Sequence, residues 1–163
     1  LDAGEPAIET TPSSLADLIS DCLESFHAPA EQRGIVLSGD VGRAVDPVAM
    51  NAGKIGRVLK NLVENALHHT PPGGVVTIRA RREFGSVIVA VEDSGPGFAP
   101  ADLPYVFEQF YRGEQARSRA TGSAGLGLAI ARGIIQAHGG GIWAENSERG
   151  GARVSFELPS PAP

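Results

Sequence analysis

Between positions 15 and 26 the apolar residues Leu15, Leu18, Ile19, Cys22, Leu23 and Phe26 fall three and four apart, the spacing of a helix that buries one stripe. Thr11 and Pro12 supply a capping hydroxyl and a first-turn proline, so this helix is expected to start there and to end near Gly34. The spacing returns at Ile55, Val58, Leu59, Leu62, Val63 and Ala66, inside a second helix expected over 51–69 and stopped by Pro71-Pro72-Gly73-Gly74. The period then changes. Residues 75–82 and 86–92 read as two strands, and Glu83-Phe84-Gly85 between them suits an antiparallel hairpin. Near the end Ala152, Val154, Phe156 and Leu158 alternate with Arg153, Ser155 and Glu157, as in a strand buried on one side.

Weaker signals fill the gaps. Residues 34–40, 43–46 and 141–145 read as short strands, 100–111 as a short helical piece and 125–137 as a helix. Residues 112–123 are polar without periodicity and read as a mobile loop. Residues 1–10 read as a linker, 11–159 as one domain and 160–163 as a disordered tail. Antiparallel pairs joined by short turns, with helices enough for one face, predict an α+β fold: a two-layer sandwich whose mixed, mostly antiparallel sheet is covered on one side. A doubly wound parallel sheet would need a regular strand-helix alternation that this order lacks.

Composition narrows the partners. A hydrophobic content of 42% over 163 residues supports a full core in one domain. The net charge of -5 argues against a nucleic-acid partner, because the one basic cluster, Arg79, Arg81 and Arg82, reads as the outer face of a strand. A lone Cys22 excludes an internal disulfide and a cysteine-rich metal site, and it reads as a small buried apolar residue. No apolar run approaches the roughly 18 residues of a membrane span, so the chain is expected to be soluble and to touch no membrane. The glycines, 21 in all, bunch at 73–74, 95–97, 122–127, 139–141 and 150–151, which marks these places for chemistry.

Four stretches stand out. In Asn61-Leu62-Val63-Glu64-Asn65-Ala66-Leu67-His68-His69-Thr70, Asn61, Asn65 and His68 share one helix stripe beside the apolar one. Asparagine is a poor helix-interior residue, and its carbonyl oxygen is a hard ligand suited to Mg²⁺. Asp93-Ser94-Gly95-Pro96-Gly97 puts an acceptor at a strand end, followed by glycines that would let a flat ligand approach the backbone; a plain turn is the bland alternative. Val106-Phe107-Glu108-Gln109-Phe110-Tyr111-Arg112 sets aromatics at the entrance to the long loop. Gly122-Ser123-Ala124-Gly125-Leu126-Gly127-Leu128-Ala129-Ile130 leads glycines into a helix, where free N–H groups and the helix dipole suit an anion. It lacks the Gly-Lys-Ser/Thr ending of a P-loop and the surrounding βαβ unit of a dinucleotide site.

In this order the stretches resemble the N box, first glycine box, F box and second glycine box of the catalytic ATP-binding domain of sensor histidine kinases, a branch of the superfamily that includes DNA gyrase, heat-shock chaperones and mismatch-repair ATPases. The ending from His138-Gly139-Gly140 through Ile142-Trp143-Ala144-Glu145-Asn146 to Gly150-Gly151-Ala152 fits as well, so the resemblance covers roughly residues 10–159. It implies a Bergerat-type fold that binds ATP and Mg²⁺ and donates the γ-phosphoryl group to a histidine. By the same resemblance Asp93 accepts the adenine amino group, with Gly95 and Gly97 making room for the base. Asn65 is the implied Mg²⁺ ligand and Asn61 its neighbour on the phosphate side. Arg112 would reach the γ-phosphate, and Asn61 and Arg112 are the implied catalytic pair. The N–H groups around Gly125, Leu126 and Gly127 would hold the phosphates, and His69 would stack near the adenine.

Two departures qualify the match. His68 stands where the family has Lys or Arg, which leaves the phosphate clamp less positive at neutral pH. No histidine followed by an acid and a proline in the acceptor pattern occurs, so the acceptor histidine is expected on a separate dimerisation domain of the same kinase; His27 and His138 read as structural. A response regulator would act downstream. The implied setting is cytoplasmic, in a parent protein that is free or anchored in the inner membrane, with the isolated domain a monomer. The other readings are a nucleotide-sensing module without transfer, and a gyrase- or chaperone-type ATPase; those relatives place a glutamate where Asn61 stands, which makes hydrolysis a poor fit.

Overall fold

The computed structural model describes residues 8–108 and 127–161. Elements follow in the order β1 (Thr11–Ser13), α1 (Leu15–Gln32), β2 (Val36–Val41), β3 (Val48–Met50), α2 (Ala52–His69), β4 (Val75–Glu83), β5 (Ser86–Asp93), a 3-10 turn at Leu103–Tyr105, α3 (Gly127–Ala137), β6 (Gly141–Asn146) and β7 (Ala152–Pro159). The main sheet has the order β2-β4-β5-β7-β6, parallel between β2 and β4 and antiparallel elsewhere. This is the mixed, mostly antiparallel sheet expected from the chain order.

Alternation decides which face is covered. Val76, Ile78 and Ala80 of β4, Val87, Val89 and Val91 of β5, and Val154, Phe156 and Leu158 of β7 all turn inward and are buried. Against them lie Leu15 and Ile19 of α1, the stripe Ile55, Val58, Leu59, Leu62 and Val63 of α2, and Leu128, Ala131 and Ile135 of α3. One layer of helices thus closes one core. Cys22 belongs to it, and burial pushes its thiol pKa up to about 11, which keeps it an inert apolar filler.

Three differences from expectation meet at residues 43–47. Ser14, not Thr11, caps α1: its Oγ accepts the Asp17 N–H at 3.0 Å, while Thr11 and Pro12 belong to β1. Residues 43–46 form no strand, since Ala44 sits at a left-handed φ of 63°, and the strand instead lies at β3, paired antiparallel with β1. The Asp46 carboxylate reaches back to α1, accepting from Ser14 Oγ at 2.5 Å and from the Leu15 N–H at 2.6 Å. Arg82 is the third difference. A two-residue period puts Arg81 and Arg82 on opposite faces, so Arg82 leaves the outer face and donates to the carbonyls of Ala44, Val45 and Ser160 at 2.6 to 2.9 Å. Ser160, assigned to the tail by composition, is buried, and its N–H bonds to the Gly85 carbonyl at 2.8 Å.

The β4–β5 turn is tighter than three residues, because Glu83 pairs with Ser86 and only Phe84 and Gly85, at φ 44° and 80°, make the bend. Of the helical piece expected over 100–111, the described part holds only the 3-10 turn. Residues 109–111 and the loop expected over 112–123 lie outside the described residues.

The sheet face turned away from the helices carries a row of alternating charges. Asp40 on β2 meets Arg79 on β4 at 3.1 Å, Arg79 lies 3.9 Å from Glu92 on β5, and Arg153 on β7 reaches Glu92 at 3.3 Å and Glu145 on β6 at 3.0 Å. The hydrogen bond from Arg153, the largest influence on Glu145, holds its carboxyl below the usual range.

His138 is structural, as expected. Its Nε2 accepts the Asn51 N–H at 3.0 Å and its Nδ1 bonds the Ile134 carbonyl at 2.8 Å, tying the end of α3 to the residue that caps α2. Replacing His138 by alanine should cost about 1–3 kcal/mol, because a part-buried N–H loses its acceptor. A denaturant midpoint unchanged from the parent would count against this bond.

Candidate functional site

The stripe Asn61, Asn65, His68 lies on α2 as the spacing requires, and all three residues are half-buried. Asn61 donates through Nδ2 to the carbonyl of Gly127, the first residue of α3, at 3.0 Å. This bond joins the first and fourth motifs across 66 positions. The Asn65 side chain makes no hydrogen bond among the described residues, which leaves its oxygen free to ligate. No group of three or more His, Cys, Asp or Glu side chains among the described residues is placed to hold a metal ion. An amide oxygen such as that of Asn65 is a hard donor of the kind Mg²⁺ takes beside phosphate oxygens and water.

Asp93 ends β5. The sheet continues one residue beyond it, where the Ser94 N–H bonds the Val75 carbonyl at 3.1 Å and Ser94 Oγ accepts the Val75 N–H at 2.8 Å. Oδ1 of Asp93 accepts from the Gly95 N–H at 2.9 Å and from the Ala152 N–H at 3.2 Å. Its other oxygen has no partner among the described residues. The carboxylate is thus fixed by one oxygen and offers the second, as a fixed acceptor must.

The two glycines have reasons inside the protein. A side chain at Gly95 would run into the carbonyl of His69, so the Asp93 turn rests directly on the C-terminal end of α2. Gly97, at φ 79°, lies against Asn146 and the carbonyl of Gly150. The structure therefore gathers His69, Asp93 and Gly95 at one end of α2, and Asn61 with Gly127 farther back along it.

The His68 and His69 rings meet edge to face with centroids 5.4 Å apart, and His69 meets Phe98 at 6.3 Å. Both histidines stand in the last turn of α2, and the Arg33 guanidinium donates to the Leu67 carbonyl at 2.9 Å, which places one fixed positive charge at the negative end of the helix. A cavity of about 790 Å³ opens there, lined by Gln32, Arg33, His68, His69 and Pro96 among others. It adjoins the Asp93 turn through Pro96, while Asn61, Asn65 and Asp93 lie off its lining. The geometry around Asp93 and α2 defines the site better than this opening does.

Arg112, Gly125 and Leu126 lie outside the described residues, and Gly127 is the one glycine of the second glycine box among the described residues. Sequence reasoning passed over Ser94, Ala152 and Asn146, which anchor the Asp93 segment. Asn146 entered the resemblance only as the end of the Ile142–Asn146 stretch, and nothing local marks its contact 48 positions away.

Residues 50–162 match the family described as histidine kinase-, DNA gyrase B- and HSP90-like ATPases. The sensor histidine kinase WalK of Bacillus subtilis is 44% identical over 114 residues, which is 69% of this chain and 19% of WalK. The catalytic domain of histidine kinase ThkA, solved free of nucleotide, superposes with a TM-score of 0.83 at 31% identity over 94% of this chain and 97% of that one. Full-length ShkA in complex with AMPPNP gives 0.83 at 30% identity over 98% of this chain and 33% of that one. The chain spans between 19% and 34% of the length of the curated relatives compared with it.

Proposed function

This chain belongs to the histidine kinase-, DNA gyrase B- and HSP90-like ATPase family as a histidine kinase ATP-binding domain, and from that premise we propose that it binds ATP with Mg²⁺ and donates the γ-phosphoryl group to a histidine. The acceptor would stand on the dimerisation domain of the same kinase, with a response regulator receiving the phosphoryl group afterwards. Residues 11–159 would form the donor domain. No helix among the described residues is long and apolar enough to cross a membrane.

The observation that carries the reading is Asp93, held by two backbone N–H groups through one oxygen and free at the other, beside the end of α2. That oxygen would take the exocyclic amine of adenine, with His69 near the base. Farther along α2, Asn65 would ligate Mg²⁺ and Asn61 would stand on the phosphate side, its amide already bound to Gly127. His68, Arg112 and the N–H groups of Gly125, Leu126 and Gly127 would face the phosphates. The bound cation would neutralise charge on the phosphate oxygens. The acceptor imidazole nitrogen forms its bond to the γ-phosphorus as the bond to the bridging oxygen breaks, and ADP leaves. The protein's part is alignment and charge stabilisation.

The test is incubation with γ-labelled ATP, with and without the acceptor domain. Label should pass to a histidine of the acceptor domain and should not accumulate on this chain alone. Stoichiometric acid-labile phosphate on this chain would overturn the separate acceptor. Tight ATP binding with no transfer would identify a nucleotide-sensing module instead.

A further inference from the structure

The segment from Asp93 to Phe98 is gripped from outside by the β6–β7 hairpin, and we propose that Asn146 is a positioning residue that sets the Gly97–Phe98 backbone for nucleotide binding. The proposal rests on the ATP-binding reading above. Asn146 ends β6, and its amide engages both backbone groups of Phe98: Oδ1 accepts the N–H at 2.8 Å and Nδ2 donates to the carbonyl at 2.9 Å. One side chain thus does for Phe98 what a neighbouring strand would do. The pairing also fixes which end of the amide is oxygen, because only oxygen can accept the Phe98 N–H.

The neighbouring contacts leave this arrangement no slack. A Cβ on Gly97 would stand 2.7 Å from Asn146 Oδ1 and 2.9 Å from the Gly150 carbonyl. Gly151 is pressed against the Asp93 carbonyl, and the next residue, Ala152, supplies one of the two donors to the Asp93 carboxylate. The hairpin turn is itself closed by the Ser147 N–H to Gly151 carbonyl bond at 2.7 Å and the Gly150 N–H to Ser147 carbonyl bond at 2.9 Å. Asn146 therefore continues to Phe98 a grip that the same turn begins at Asp93. Phe98 passes it on, since its ring packs on the core and against His69.

Burial separates positioning from mere stability. Asn146 is exposed, so water would satisfy both Phe98 groups if the amide were removed, and the fold would lose little. What would be lost is the fixed path of the backbone between the base-binding carboxylate and the aromatic at His69. Half-ångström placement of this kind is what binding sites require of their supporting residues.

Asn146→Asp keeps the acceptor for the Phe98 N–H but turns a carboxylate oxygen on the Phe98 carbonyl, and Asn146→Ala removes both bonds. Calorimetric titration with ATP and with ADP should show affinities about tenfold weaker for Asn146→Asp, and weaker by a smaller factor for Asn146→Ala. The ratio of ATP affinities with and without Mg²⁺ should stay at the parent value, because the metal end is untouched. The melting temperature should move by no more than about 3 °C. Hydrogen exchange at the Phe98 amide should accelerate in the alanine variant. Parent-like affinities in both variants, or a collapse in melting temperature that accompanies the lost binding, would overturn the proposal. A parent protein that binds neither ATP nor ADP would instead remove the ATP-binding reading on which it stands.

Discussion

Replacing Asp93 by asparagine should weaken ATP binding ten- to hundredfold, about 1.5–3 kcal/mol, in titration calorimetry. The two backbone donors from Gly95 and Ala152 choose the orientation of the new amide, because each needs an oxygen to accept it. Asparagine therefore turns its oxygen inward and presents Nδ2 where the free carboxylate oxygen stood. An acceptor aimed at the adenine amine becomes a donor aimed at it. The same exchange should narrow the gap between ATP and GTP, whose base carries a carbonyl at the matching place. The unmutated protein should bind GTP poorly, and equal ATP and GTP affinities would remove Asp93 from base recognition.

Asn65→Ala should abolish the Mg²⁺ enhancement of ATP binding, a loss of about tenfold at saturating metal, while Mg²⁺-free binding of ATP and binding of adenosine stay near parent values. The Asn65 side chain has no hydrogen bond among the described residues, so the change should leave thermal stability alone. Asn61 offers the contrast. Its amide holds the Gly127 carbonyl at the start of α3, and its removal should therefore disturb stability and phosphate binding together. An equal loss for adenosine in Asn65→Ala would mean that the base pocket had moved and that Asn65 does not act on the metal.

The elements that were legible in the sequence are those whose own pattern decides their state. The stripe Ile55, Val58, Leu59, Leu62 fixes α2, and the alternation in β7 fixes both its extent and its buried face. The first turn of α1 was not legible. Its cap draws on Asp46, 32 positions away, and β1 and β3 are three residues each, too short to show a period. The arginines of β4 were misplaced by treating a cluster as a face, although a strand sends neighbours to opposite sides. At the site, Asn61, Asn65, Asp93 and the glycines could be picked out because their types are unusual for their elements. The contacts between them could not. Asn61 with Gly127, Asp93 with Ala152 and Asn146 with Phe98 are joined only by the folded sheet and its helices.

The row of alternating charges on the face turned away from the helices bears on how molecules of this protein meet one another. It begins on β2 and finishes on β6, the two strands whose outer sides have no neighbour in the sheet among the described residues, and at both ends the last charge is a carboxylate, Asp40 and Glu145. Unpaired strand edges invite a further strand from another copy. Whichever two edges approach, acid comes toward acid, and like charges set opposite one another across strands are unfavourable. A sheet with a lysine at one end of this row and an acid at the other would be complementary to itself and free to extend edge upon edge.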